Sequence, residues 1–342
     1  MTNSATRVSV VAAVLALASA AMADPGVLRM ANWNVANGPN TTEDRQRLAR
    51  LLDYSDDADG RRWDLLALSE TDVSSAGLTV LAFGDVYTDG YDYRYSTADA
   101  GGDRTAFVFD ASTLAAIDVR TVPGTFTHTI LRGTFGIWGA DNYDANRVFT
   151  AYSVHLASGD ANADAATRAA EASALLADVA LLPDDRNVVF LGDFNWLGSG
   201  EGNGITTAHD LLTSIAFDPV GAGDYRDNAD FLEFHTQNPA AAMDDRFDAQ
   251  LPGLSFADGV GLEYVAGSYA VLGNNGTHAL NGAITTGTAA SASVLSDLAA
   301  FSDHLPVYAD YVYDVTPVPE PGGAMLIGLA SVALLVRRRS AT

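Results

Sequence analysis

The sequence predicts a layered α/β domain, and two observations carry that expectation. Short apolar runs alternate with amphipathic stretches, the mark of strands and helices stacked in layers. The 342 residues are 48% apolar, which supports a large core and excludes a disordered polyelectrolyte. Residues 27–35 read as the first strand. A helix follows over 41–54, opened by Thr41 or Thr42, with Glu43 and Asp44 in its first turn and Leu48, Leu51 and Leu52 on one face. Residues 64–69 form a short continuous apolar strand, and 91–95, 105–110 and 116–122 are further strands. The segment 147–155 alternates well, 163–182 is a long Ala/Leu helix, and 187–191 is a buried Val/Phe strand. Beyond Trp196 the chain is rich in Gly and Asn, with one helix near 206–217, and it closes on a strand over 304–313. No repeat or long linker divides this body, so 24–316 is expected to be one domain.

Charge and cysteine content exclude several functions. There are 43 acids against 19 basic residues, a net charge of −24, and every basic residue is Arg. A broad basic face gripping duplex DNA is therefore excluded, because that grip rests on phosphate neutralisation by Lys and Arg. An enzyme that handles one phosphate at a time with a metal ion is not. The absence of Cys removes thiol nucleophiles, Cys-ligated zinc and disulfides together. At the N-terminus, Arg7, the apolar run 8–18 and Ala21-Met22-Ala23 read as a secretory signal over 1–23. At the C-terminus, Val318-Pro319-Glu320-Pro321, the apolar run 324–336 and Arg337-Arg338-Arg339 read as a membrane segment over 317–342 with a cytoplasmic stop. Both place the body outside the cytoplasm.

The chemistry gathers at strand ends. Trp33-Asn34-Val35 ends the first strand, and Ser69-Glu70 ends the second, its acid following an apolar run. Val154-His155-Leu156 ends another, and Gly192-Asp193-Phe194-Asn195 ends the Val/Phe strand. Ser302-Asp303-His304 stands directly before the last. Polar groups at strand ends of an α/β fold converge where the sheet opens into loops. This inventory holds hard oxygen ligands for a divalent cation, two imidazoles, and two amides that can donate to phosphate oxygens. Singly, each residue has a plainer reading. A strand-end Asn forms turns, Glu70 could cap the segment after it, Asp303 could be a turn acid, and either His could be an ordinary hydrogen bonder.

Taken in order, these motifs resemble the endonuclease/exonuclease/phosphatase superfamily, whose fold is that of DNase I. Asp244-Asp245-Arg246-Phe247-Asp248 is similar to its remaining motif, which an Asp closes at 248. The resemblance spans about 27–313. It implies a four-layered α/β sandwich, two packed mixed sheets flanked by helices, and Mg²⁺-dependent cleavage of phosphate esters, with Mn²⁺ as a possible substitute. Carried over, Glu70 is the main metal ligand, aided by Asn34 and Asp303. Asp193 orients or deprotonates the attacking water, and Asn195 holds a phosphate oxygen. His304, oriented by Asp248, meets the phosphate, with His155 across from it. The C-terminal order of Pro-Glu-Pro, apolar run and Arg cluster resembles a PEP-CTERM sorting tail, which implies an exosortase-like partner.

Some features depart from the pattern. Thr71-Asp72 stands after Glu70 where DNase I-like enzymes place an Arg on DNA, and the cysteines of animal secreted nucleases are missing. Arg104 and Arg147 are the best cationic candidates, while Arg168 on the long helix suits a structural role. Asp244 and Asp245 fit a solvated turn. The polar loops 235–237 and 273–278 could shape substrate access or be plain connections. The first expectation is an exported phosphodiesterase acting on nucleic acid. A phosphatase or sphingomyelinase-like phospholipid phosphodiesterase is the alternative, and a catalytically silent envelope or matrix protein is the alternative from another class.

Overall fold

In the computed structural model, residues 26–313 are described apart from 60, 88–89, 139–146, 184–186, 199–200 and 205. The expected leader and sorting tail lie outside the described residues. Two sheets face each other. One runs β10(Leu262–Tyr264)-β12(Val307–Tyr313)-β1(Gly26–Asn34)-β2(Leu65–Thr71)-β4(Arg104–Asp110)-β3(Tyr91–Tyr95), with β11(Ala270–Val271) also on β12. The other runs β5(Leu114–Thr121)-β6(Leu131–Ile137)-β7(Val148–His155)-β8(Asn187–Asp193)-β9(Asp248–Pro252). Pairing is antiparallel except for β1 with β2 and β7 with β8, so both sheets are mixed.

Three apolar clusters define four layers. Leu28, Met30, Leu65, Ala67 and Phe107 meet Phe135, Phe149, Val189 and Leu191 between the sheets. The outer face of the first sheet, with Ala31, Trp33, Leu66 and Leu68, packs on Leu48, Leu51, Phe83, Leu295 and Leu298. These come from α1(Thr42–Asp59), α2(Val73–Tyr87) and α5(Ala292–Phe301). Tyr152, Val154, Val188 and Phe190 on the second sheet face Ala172, Leu175 and Leu212 of α3(Asn162–Val179) and α4(Ala208–Leu212). The central strands thus obey their two-residue period with both faces covered, while the edge strands β3 and β5 keep exposed positions. The expected four-layered α/β sandwich, DNase I-like, is the observed fold.

Several elements differ from the sequence reading. The first helix runs on to Asp59, and the 206–217 helix shrinks to Ala208–Leu212, where Thr207 and Asp210 form a reciprocal cap. The sequence reading contains no strand at β6, β9, β10 or β11 and no helix at α2 or α5. Strand β6 reads Leu-Arg-Gly-Thr-Phe-Gly-Ile, whose glycines look like loop signals. In fact Gly133 leaves space for the rings of Phe135 and Phe107, which would lie 2.5 and 3.0 Å from a Cβ there.

A second glycine fixes the site end of the sandwich. Gly192 has φ +149°, and a Cβ on it would meet the Val154 carbonyl oxygen at 2.0 Å. That carbonyl belongs to the neighbouring strand and cannot move without breaking the β7–β8 ladder. Gly192→Ala is expected to cost about 3 kcal/mol or more in unfolding free energy. Urea denaturation measures it, and a loss under ~1 kcal/mol would show that the two strand ends can part.

Candidate active site

Strand parity carries four polar residues to the gap between the sheets. Asn34 has the same parity as Leu28 and Met30, Asp193 as Val189 and Leu191, and His155 as Phe149 and Ala151, all of which face the other sheet. Asp248 lies level with Asp193, and Asp193 with His155, in one row across β7, β8 and β9. Antiparallel pairing of β12 with β1 brings His304, just before β12, to the same end. Glu70 is the exception. Its parity matches Leu66 and Leu68, which face the helices. A bulge between Leu68 and Thr71 and a φ of +48° turn it instead toward the gap.

Direct contacts then join these groups. The Asn34 amide donates to Glu70 Oε1 at 2.9 Å and to Asp193 Oδ2 at 3.0 Å, while its oxygen accepts from the Ala36 N–H at 3.1 Å. Asn34 therefore holds the two carboxylates and does not present an oxygen between them. His304 Nδ1 meets Asp248 Oδ2 at 2.6 Å, and its Nε2 lies 3.8 Å from Asp193 Oδ2. His155 Nε2 stands 3.8 Å from Glu70 and 3.7 Å from Asp193. The Asn195 amide, at φ +52°, donates to the Leu156 carbonyl at 3.0 Å, leaving one N–H for another acceptor. Asp303 is exposed, and it acts on Glu70 and His304 only through its charge.

Burial sets the electrostatics. It pushes Glu70 up, against the Asn34 hydrogen bond, and it drives His155 down to about 4. His304 is also desolvated, yet Asp248 and then Asp193 outweigh that and raise it to about 10. Burial raises Asp248 to about 6 despite its imidazolium partner. At neutral pH His304 is thus a buried cation among carboxylates. Asp193, Asp248 and His304 bring ligand atoms within 4.8 Å of one another, but a metal ion there would first have to displace the His304 proton.

Supporting residues hold this cluster, and one of them, His128, is absent from the sequence reading. Thr236 Oγ1 accepts from the Phe247 and Asp248 N–H groups, so loop 235–237 fixes the start of β9. The Trp33 indole donates to the His304 carbonyl at 2.8 Å. Arg246, wholly buried, makes a bidentate pair with Asp218 at 2.7 and 2.8 Å. His128 stacks on His155 with ring centroids 3.8 Å apart. No strand-end motif flags it in the sequence, because β6 itself was not foreseen. Arg168 is structural as expected, bound to Glu201 and to the carbonyls of Ala157 and Gly159.

Two expectations are corrected. Asp245 is buried and raised to about 6 by desolvation and then by Asp244; it does not lie on a solvated turn, because Gln237 pairs with it across an isolated bridge. Arg147 precedes β7 and so stands at the opposite end of that strand from His155, which removes it as a substrate cation. Arg104 stays at the site end, level with Thr71, lying over the Tyr95 ring and donating to the Ser96 carbonyl.

A sandwich that opens at strand ends onto a carboxylate, amide and imidazole cluster defines a class of phosphoester hydrolases. The chain belongs to the Endonuclease/Exonuclease/phosphatase family, whose model matches residues 31–304 and whose members are phosphoester hydrolases. Comparison with curated proteins finds no match. Among solved structures, an endonuclease/exonuclease/phosphatase from Bacteroides vulgatus is similar at 13% identity and TM-score 0.57, over 84% of this chain and 99% of that one. A mannosyl-6-phosphatase from Bacteroides thetaiotaomicron gives 16% and 0.54, over 84% and 100%. D. rerio TDP2 complexed with single strand DNA product gives 16% and 0.52, over 83% and 98%. At these identities the likeness is one of fold.

The His304–Asp248 pair yields a pH prediction. The folded value of about 10 exceeds the unfolded ~6.5. Protonated His304 therefore contributes stability that is fully present below pH ~6.5 and is lost as pH rises through about 10. Asp248→Asn removes the nearest anion but leaves the burial, so the His304 pKa should fall by more than ~2 units. NMR titration of the ring protons measures it, and an unchanged value would deny Asp248 its role.

Proposed function

We propose that this chain is an exported, Mg²⁺-dependent hydrolase of phosphate esters, a phosphodiesterase with nucleic acid as its first substrate class. The observation that carries the reading is the cluster of Asn34, Glu70, Asp193 and the Asp248–His304 pair at one open end of the sandwich. Glu70 fits a Mg²⁺ ligand. It is the partly open carboxylate, 30% exposed, with Asp303 as a further acid nearby, and Mg²⁺ favours one or two carboxylates completed by water and substrate oxygens. When bound, the ion would supply Lewis-acid charge to a phosphate oxygen. Asn34 keeps Glu70 and Asp193 oriented, so Asp193 is placed to align the attacking water or take its proton. The His304 cation stabilises charge that gathers on the phosphate, and the free N–H of Asn195 offers a further bond. The leader over 1–23 and the sorting tail over 317–342 support export to the envelope, with an exosortase-like enzyme as partner.

A second reading, a phosphatase or phospholipid phosphodiesterase, draws support from Asp72, which stands where an Arg would meet DNA. A substrate panel separates the two: plasmid, RNA, bis-p-nitrophenyl phosphate, p-nitrophenyl phosphate and sphingomyelin, each with Mg²⁺ or EDTA. Glu70→Gln should lower turnover at least ~100-fold, with partial rescue by raised Mg²⁺ or Mn²⁺. Near-normal turnover would remove Glu70 from the site. Because the net charge is −24, repulsion opposes a polyanion until salt screens it. On DNA, kcat/KM is expected to stay flat or rise between ~50 and ~300 mM NaCl, against the usual fall. A steep fall would reveal a local basic groove, and turnover of lipid or monoester alone would establish the second reading.

A further inference from the structure

His155 faces Glu70 and Asp193 at 3.8 and 3.7 Å, beyond hydrogen-bond reach. Among the described residues no hydrogen bond fixes its ring. What lies against it is His128, with centroids 3.8 Å apart and planes within 5°. His128 is itself anchored, its Nδ1 paired with Asp99 Oδ2 at 2.9 Å. The other Asp99 oxygen accepts the N–H groups of Gly101 and Asp103 at 2.8 and 3.0 Å. The backbone on each side of His128 is pinned too. Thr127 N–H donates to Glu171 at 2.6 Å, and Thr129 bonds Thr97, Ser96 and Thr105 at 2.8–3.0 Å. A flat ring on a rigid, doubly tied segment covers the one imidazole of the site that lacks a tether.

We infer that His128 is a positioning residue for His155, anchored by Asp99, and that it sets the ring plane His155 presents to the substrate phosphate. The inference rests on the phosphoester reading of the site and names a residue pair that the six motifs do not contain. Stacking confines the imidazole to one plane, so removing it should scatter the ring and lower the fraction in productive geometry. The loss then falls on kcat, and an aromatic without ring nitrogens restores most of it.

The test uses the full chain on bis-p-nitrophenyl phosphate at saturating Mg²⁺. His128→Ala should lower kcat by ~10–50-fold with KM within ~2-fold, and His128→Phe should recover to within ~3-fold of wild type. In the His155→Ala background, His128→Ala should add no further loss, because one residue acts through the other. Unchanged kcat in His128→Ala, additive losses in the double variant, or no recovery with Phe would each overturn the inference; additivity would mean that His128 meets substrate itself. If His128→Ala does not fold, Asp99→Ala replaces it, since a methyl group leaves His128 Nδ1 without the partner it has on Asp99. That variant should lose ~3–10-fold in kcat. A readout independent of turnover is the NMR signal set of the His155 ring, which should shift and broaden in His128→Ala and return with Phe. If the wild type cleaves no phosphate ester, the function proposed above fails, and these ring signals still decide whether His128 positions His155.

Discussion

The Asn34 amide bridges the two sheets where the site lies, and much of the arrangement depends on that contact. Its two N–H groups reach Glu70 on β2 and Asp193 on β8, so a single side chain sets the spacing between carboxylates on opposite sheets. Both acids would repel if brought this close without a donor between them. The amide also explains why its own oxygen turns away to the Ala36 N–H. Farther inside, Asn32 donates to the Gly192 carbonyl and Gln250 to the Met30 carbonyl. The inter-sheet face therefore changes from apolar to polar as it nears the open end. Paired polar groups in a desolvated gap are rigid because leaving any one unmade is costly.

The strand-end pattern made much of the site legible. Asn34, His155, Asp193 and His304 stand at or beside ends of strands whose apolar residues announce them, and a period of two carries each to a definite face. Glu70 was legible as a residue but not as a geometry. Its parity points to the helices, and only a bulge with positive φ turns it into the gap. No rule of alternation contains that turn. Asp245 misled for the opposite reason: an acid in an Asp-Asp run reads as solvated, while a tertiary bridge from Gln237 buries it. His128 was invisible because strand β6, which follows it, is written with glycines that make room for Phe rings. Helices α2 and α5 carry few charges to mark a polar face, so their periodicity was faint.

The Arg residues show how so acidic a chain stays folded. Arg29, Arg132, Arg168 and Arg246 are buried against Asp310, Asp178, Glu201 and Asp218 at 2.7–2.9 Å. Removing either partner of such a pair would strand a buried charge at a cost of about 3–5 kcal/mol. Arg45, Arg47 and Arg50 join α1 to Asp85 and Asp297, contacts nearer the surface that contribute little each. The scarce cations thus hold helices and strands in place.

That use of Arg leaves the site acidic, with consequences for its chemistry. Glu70, Asp193, Asp248 and Asp303 surround one imidazolium, His304, and Asp248 already neutralises it. An arriving phosphate would add negative charge to this surplus. In the proposed reaction, positive charge beyond His304 and the nearby Arg104 would be supplied most simply by a divalent cation on Glu70. The fold accommodates this because Glu70, alone of the inner carboxylates, keeps 30% of its side chain open while Asp193 and Asp248 are sealed. In the proposed reading, a sealed acid beside an imidazolium would orient the groups around it, and an open one could exchange water for a metal ion. The difference in exposure among these chemically similar side chains follows from where each strand happens to end.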